Sequence, residues 1–177
     1  MIFSNRGTEK TIVQGCLEDN RHFQKMLFEK YKDAMYTVVF RILRNEDLAF
    51  DAVQEGFIQV FSRISQYRFE GTLGSWIKII MIRSALLILR HEPSKNGVEP
   101  DNLNIPIEWD ANLTGEVLDK AIAQLSPGYR SVFLLIEVEG YNHKEVADML
   151  NISEGTSKSQ LSRAKVILQQ KLKDLGY

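Results

Sequence analysis

The stretch Asn142-His-Lys-Glu-Val-Ala-Asp-Met-Leu150, Asn151-Ile152, Ser153-Glu-Gly-Thr-Ser-Lys-Ser-Gln-Leu161-Ser-Arg-Ala-Lys-Val-Ile-Leu168 decides how this chain is read. It parses as two helices around a tight corner. Asn142 offers a side-chain acceptor to the first free N–H groups of a helix. Glu145, three residues on, is spaced to return a bond to the cap backbone. Val146, Ala147 and Leu150 make a short apolar edge. Asn151 tolerates the left-handed conformation that stops a helix. Ser153 caps the next one, with Glu154 against its positive end. At about 100° per residue, Leu161, Ala164, Leu168 and Leu172 then fall on one stripe. Gly155, Thr156, Ser159, Ser162 and Arg163 point away from it, with Lys158 and Lys165 on the flank. Small hydroxyl residues and one arginine suit base edges in a major groove, and flanking lysines suit phosphates. That is helix-turn-helix chemistry with the second helix as reader. An ordinary αα-hairpin with a solvated polar face has the same periodicity, so spacing alone leaves both readings open.

Upstream of the corner the pattern is helical throughout. Leu113 to Leu125 predicts a helix; Ser126-Pro127 is a cap followed by proline at the first helical position. Val132, Phe133, Leu135 and Ile136 fill the helix that follows, and Gly140 ends it. Nearer the N-terminus, Thr8 to Asp19 and Asn20 to Leu43 predict two helices, the second with Phe23, Leu27, Tyr31, Met35 and Val38 at steps of three and four. Glu46 to Ile64 predicts a third, split between a stripe of Ala49, Val53, Gly56 or Phe57, Val60 and Ile64 and a face of Asp47, Asp51, Gln54 and Glu55. That acceptor-rich face fits a basic partner, and equally a solvated acidic surface. Tyr67-Arg-Phe-Glu-Gly71 is a break with two aromatics. The very apolar helix after it starts at Thr72 or Ser75. From Trp76 to Leu89 only Lys78, Arg83 and Ser84 are polar, too many charges over too short a span to cross a bilayer. It reads as the central helix of a bundle, with Arg83 and Arg90 as exposed cations. An aromatic break beside a basic helix can stack unpaired bases and hold their backbone; Trp76 as plain core and Arg83 as a surface charge fit the pattern as well.

Composition sets the outer bounds. At 177 residues, 44% hydrophobic and 25% charged, the chain has room for one domain or two small ones of ordinary soluble character. Asn5, Arg6, Glu9 and Lys10 interrupt any leading apolar run, which argues against a secretory signal and for a cytoplasmic protein. Cys16 is the single cysteine, so no intrachain disulfide forms; it reads as a small buried or half-buried hydrophobe. His22, His91 and His143 have no cysteine or carboxylate at metal spacing, so no metal site is expected. The net charge is −1, but it is unevenly spread. Residues 1–92 hold 13 basic against 11 acidic side chains, 93–125 hold 2 against 6, and 126–177 hold 7 against 6. Residues 91–109, with Pro93, Asn96, Gly97, Pro100, Asp101 and Pro106, are too long and too broken for an ordinary loop and mark a domain boundary. Two weakly basic blocks thus flank an acidic connector. Because phosphate neutralisation supplies most non-specific affinity, the isolated chain is expected to bind DNA weakly.

Three blocks together resemble the alternative sigma factors of bacterial RNA polymerase, the compact extracytoplasmic-function (ECF) group. They are Asp51-Ala-Val-Gln-Glu-Gly-Phe-Ile-Gln-Val-Phe61; Phe69-Glu-Gly-Thr-Leu-Gly-Ser-Trp76 running on to Leu89-Arg90; and Leu125-Ser-Pro-Gly-Tyr-Arg-Ser-Val-Phe133 with Glu139-Gly140, Glu145-Val-Ala147, Leu150 to Thr156, Lys158-Ser159, Leu161 and Arg163-Ala164. Their order and spacing cover most of residues 10–173.

The resemblance implies an all-α protein of two small helical domains, 1–92 and 113–177, joined by a flexible acidic linker, 93–112. The first domain would bind the polymerase clamp through Asp47, Asp51, Gln54, Glu55 and Ile58. It would melt and read the −10 element through Tyr67, Arg68, Phe69, Trp76, Lys78, Arg83 and Arg90. The second would bind the polymerase flap and read the −35 element through Gly155, Thr156, Lys158, Ser159, Arg163 and Lys165. Core RNA polymerase, promoter DNA and an anti-sigma factor are the implied partners, with no catalytic site, cofactor, membrane insertion or small-molecule substrate. Two other readings remain at this point: a stand-alone helix-turn-helix regulator, and a degenerate relative that binds polymerase without opening promoters. The chain departs from the family's habit at four positions. Ser157 stands where a branched apolar residue is usual, Gln160 for an arginine, Arg83 for an asparagine and Leu87 for an aspartate. The customary basic run after the −10 helix is reduced to Arg90-His91. A hydroxyl on the buried stripe needs a partner, or costs about 1–3 kcal/mol.

Overall fold

In the computed structural model the described residues are 6–91, 114–174 and 176, and all their regular structure is helical. The chain divides into two compact units, Met1–Leu89 and Arg90–Tyr177. The acidic linker expected at 93–112 lies outside the described residues.

The first unit holds α1 (Arg6–Leu17), α2 (Arg21–Leu43), α3 (Glu46–Arg63) with a 3-10 turn at Ile64–Gln66, and most of α4 (Leu73–His91). Its corners are built by short polar side chains. Asn20 caps α2, accepting from the His22 N–H at 2.9 Å. Arg44 takes the left-handed conformation (φ 53°) that stops α2, and Asn45 then caps α3 from Leu48 at 3.0 Å. Two glycines set the packing distances. A Cβ at Gly15 would collide with the Phe23 ring, so α1 lies directly on α2; one at Gly56 would collide with Met81, so α3 lies directly on α4. The stripe expected on α3 is buried as read, with Ala49, Val53, Gly56, Phe57, Val60 and Ile64 all inside. On α4, Leu73, Ile77, Met81, Ile82 and Ala85 are wholly inaccessible, which makes it the core helix that its composition demanded. The choice of start falls on Thr72, whose Oγ1 accepts from the Ser75 N–H at 3.1 Å. Glu9 of α1 is buried and accepts from the Tyr31 hydroxyl at 3.4 Å. Burial and that carboxylate push the Tyr31 pKa up to about 12. Cys16 is buried as expected, and burial raises its thiol pKa.

The second unit holds α5 (Gly115–Ala123), α6 (Pro127–Phe133) continued by a π-helical turn (Leu134–Val138), α7 (His143–Leu150) and α8 (Glu154–Asp174). Ile122, Leu125, Val132, Phe133, Leu135 and Val146 close over Leu161, Ala164, Leu168 and Leu172 of α8. Ser126 occupies the cap position of α6 with Pro127 at N1, yet its side chain makes no capping bond. The buried Arg130 does related work: its Nη1 donates to the Leu125 carbonyl at 2.9 Å and to the Ala123 carbonyl at 3.3 Å, satisfying the end of α5.

Candidate nucleic-acid and protein interfaces

The corner between α7 and α8 forms as its residues dictate. Asn142 and Glu145 exchange a full capping box: the Glu145 N–H donates to Asn142 Oδ1 at 3.0 Å and the Asn142 N–H to Glu145 Oε2 at 2.8 Å. Asn151 is left-handed at φ 55°. Ser153 Oγ accepts from the Thr156 N–H at 2.9 Å. This presents the first turns of α8 with Gly155 and Lys158 exposed and Thr156, Ser159 and Arg163 half-buried. The hydroxyls there are held locally, Thr156 against Ser153 at 2.8 Å and Ser159 on the Thr156 carbonyl at 3.0 Å. Both flanking lysines carry acid partners, Lys158 with Glu154 at 2.7 Å and Lys165 with Glu137 of the π turn at 2.8 Å. The Lys158 ammonium, by hydrogen bond and charge, holds the Glu154 carboxyl below its ordinary pKa. Ser162 departs from the expected outward face. Its hydroxyl oxygen is buried and has no hydrogen-bond partner among the described residues.

Ser157 is wholly buried, and its hydroxyl lies 3.0 Å from His143 Nδ1 at the start of α7. The pair crosses the corner and supplies the partner that a hydroxyl on this stripe requires. Burial first, and the Lys158 charge second, lower the His143 pKa against the opposing pull of Glu154 and Glu137.

In the first unit the aromatic break folds into a small cleft. The Tyr67 ring is buried, its hydroxyl donating to the Gly71 carbonyl at 2.7 Å. It supports Phe69 at 4.6 Å and Trp76 at 5.6 Å between ring centroids. Phe69 is 41% exposed and held at φ 59°, a conformation that bulky side chains adopt only at a cost. A cavity of about 250 Å³ opens beside them, lined among others by Arg68, Glu70, Thr72, Trp76 and Ile79. Tyr67 is therefore a support within the cleft, while Phe69 and the half-buried Trp76 offer ring surface to the outside. Arg68, Arg83 and Arg90 are exposed. At about 100° per residue Arg83 and Arg90 follow Trp76 along one face of α4. Lys78 lies roughly 160° round the helix from Trp76, so the structure separates it from the other cations of this group.

On α3, Asp47, Asp51, Gln54 and Glu55 are all exposed, and Ile58 is the most exposed large hydrophobic side chain among the described residues, at 63%. Sequence reasoning missed their neighbour Phe50. It is 57% exposed and rests on Tyr36 of α2 at 5.0 Å, with Phe40 stacked beyond. The four-residue spacing of Tyr36 and Phe40 was the available signal.

Two family descriptions match: Sigma-70 region 2 over residues 27–92 and Sigma-70 region 4 over residues 115–168. The ECF RNA polymerase sigma factor SigE of Mycolicibacterium smegmatis is 26% identical over 157 residues, covering 84% of this chain and 59% of SigE. The ECF RNA polymerase sigma-E factor of Haemophilus influenzae is 21% identical over 184 residues, covering 95% of this chain and 97% of that one. SigW of Bacillus subtilis is 24% identical, with 82% and 86% covered. Among solved structures, the sigma factor RpoE of Bartonella quintana, in complex with the anti-sigma factor NepR, aligns with a TM-score of 0.56 at 23% identity over 84% of this chain and 96% of that one. CnrH in complex with the cytosolic domain of CnrY aligns at 0.54 and 16% identity, with 93% and 96% covered. These likenesses in three dimensions concern the fold, and they agree with the arrangement of α1–α4 and α5–α8. The chain belongs to the sigma-70 family, as a two-domain sigma factor of the extracytoplasmic-function group.

Proposed function

We propose that this chain is a promoter-specificity subunit: it binds core RNA polymerase and directs initiation at promoters that it reads at two points. The observation that carries the reading is the presence, in one chain and in order, of both matched sigma-70 regions. The exposed acidic stripe of α3 supports its assignment to the polymerase clamp, since four acceptor-rich side chains on one face call for a basic partner. The cleft lined by Tyr67, Arg68, Trp76 and Ile79, with the strained and exposed Phe69 against Tyr67, supports unpaired-base recognition at the −10 element. The capped start of α8 supports −35 reading, with Arg163 on base edges and the lysines on phosphates. On this reading the chain does no chemistry of its own and works in the cytoplasm, where polymerase is. Among the described residues no helix is long and apolar enough to cross a membrane. The sigma factor RpoE, of similar fold, was solved in complex with the anti-sigma factor NepR, and we extend that class of partner to this chain.

Reconstitution with core polymerase tests the reading. A stoichiometric complex and initiation dependent on promoter sequence are expected. Arg163→Ala is expected to lower −35-dependent initiation about tenfold, the cost of one good base contact, with polymerase binding unchanged. Unchanged initiation would remove Arg163 from the interface. Tight, sequence-specific duplex binding without polymerase would favour a stand-alone regulator instead.

A further inference from the structure

We propose that Leu87 reads one thymine of the −10 region through that base's C5-methyl group. This rests on the assignment of the cleft and α4 to the −10 element, to which it adds a base identity. Around most of its circumference α4 is a core helix: Ile80, Met81, Ile82, Ala85 and Leu86 are buried. Leu87 breaks that pattern, being 50% exposed. A single exposed leucine is ordinary; its company on the helix is not. At about 100° per residue, Leu87 stands about 20° round the helix from Trp76 and about 40° from Arg83. The exposed Arg83 lies one turn back, and the half-buried Trp76, which lines the cleft, lies about three turns back. The apolar side chain therefore continues the face that carries the aromatic ring of the cleft and a cation suited to phosphate.

What a leucine can read on that face is narrow. Its side chain has neither a donor nor an acceptor, so a base edge that presents only polar groups gains nothing from it. Along the major-groove edges of the bases the one apolar group is the C5-methyl of thymine. Closing Leu87 over that methyl takes both surfaces out of water. Adenine, guanine or cytosine at the same place would set a polar group against the leucine without a partner. Selection thus combines a gain for thymine with a penalty for the others. The rise of α4 bounds where the base lies. Eleven residues at about 1.5 Å each put Leu87 about 16 Å from Trp76 along the helix axis. At about 3.4 Å per nucleotide of a strand, the thymine is at most about five positions from the base in the cleft. The family's habit here is an aspartate, an acceptor that suits the cytosine N4 amine; the leucine, and the preference it imposes, belong to this chain.

Deoxyuridine differs from thymidine only in lacking that methyl group. Holoenzyme assembled from the full chain and core polymerase is titrated with promoter fragments in which the thymines of the −10 region, on either strand, are replaced by deoxyuridine one at a time. One position is expected to cost the parent about fourfold in affinity, the scale of one methyl group returned to water. Leu87→Ala is expected to lose about as much on the unmodified fragment and to be indifferent to deoxyuridine at that position. Its melting temperature should match the parent's, because the side chain is half in solvent. No sensitive thymine, or a sensitive thymine to which Leu87→Ala responds as the parent does, would overturn the proposal. Arg83→Ala is the control for the underlying assignment and is expected to weaken binding to every fragment. If it has no effect and no methyl is felt, the assignment of α4 to the −10 element falls; if it weakens binding and no methyl is felt, only the reading by Leu87 falls.

Discussion

The buried hydroxyl of Ser157 shows how far single residues could be read. That it required a partner followed from its place on the apolar stripe. That the partner would be His143, fourteen positions earlier, did not, because the contact exists only once the corner has folded α7 against α8. The pair has a pH signature. His143 has a folded pKa below its ordinary value of 6.5, through burial and Lys158. Between the folded value and 6.5 the unfolded chain binds more protons than the folded one, so stability rises with pH across that window. It is complete above 6.5 and is lost as pH falls through the folded pKa. The urea midpoint of the parent should therefore drop between pH 7.5 and 5.5 by more than that of His143→Gln; parallel drops would discount His143. Phe69 is the other telling residue. Its left-handed backbone costs about 1–2 kcal/mol, which Phe69→Gly would relieve while losing the ring contact on Tyr67, worth about 0.5–1.5 kcal/mol. Net stability should stay within about 1 kcal/mol of the parent by chemical denaturation, while promoter opening, followed by permanganate reactivity of unpaired thymines, should fall. Opening at the parental level would assign the strain no role at the −10 element.

At the level of elements, most helices were legible because a polar punctuation mark at the start survives in the structure: Asn20, Asn45, Thr72, Asn142 and Ser153 all cap by side-chain hydrogen bonds, whereas Ser126 of α6 does not. The buried and exposed faces of α3 were equally legible, since an 18-residue helix gives the 3.6-residue period room to declare itself. The π turn at Leu134–Val138 was not. One extra residue per turn leaves almost no trace in a five-residue segment whose buried part is only Leu134 and Leu135. Arg130 was invisible for a related reason, its work being to cap the preceding helix through space. The cleft was half legible: its aromatics were evident, but burial of Tyr67 and exposure of Phe69 depend on which way the break turns. The solvent face of α3 yields the cleanest test. Asp51 is exposed, so Asp51→Arg should leave helicity and melting temperature unchanged. Against a basic clamp surface it should lower polymerase affinity by about tenfold at low salt, with the deficit shrinking as salt rises. A variant that assembles with parental affinity at low salt would detach α3 from the polymerase.

For the whole molecule, charge decides whether the two units can work without a larger partner. Grip on duplex DNA comes mainly from neutralised phosphates, yet the chain is net −1. The two lysines that flank the polar face of α8, Lys158 and Lys165, are already ion-paired with Glu154 and Glu137. Phosphates must compete with those acids, so each lysine returns less counterion release than a free one. A single helix-turn-helix offers few other contacts, and residues 93–125, with 2 basic against 6 acidic side chains, repel the same backbone. Core polymerase changes the balance by supplying its own DNA contacts and by holding both units on one promoter, which makes the second contact effectively intramolecular. Near physiological salt the free chain should therefore give no −35-specific shift at micromolar concentration. The holoenzyme should bind the same fragment specifically, and scrambling either element should cut initiation. Lowering salt should restore DNA binding by the free chain, with no preference between intact and scrambled elements. If the free chain instead discriminated them as well as the holoenzyme does, its own surface would suffice, and the sharing of grip between chain and polymerase would be wrong.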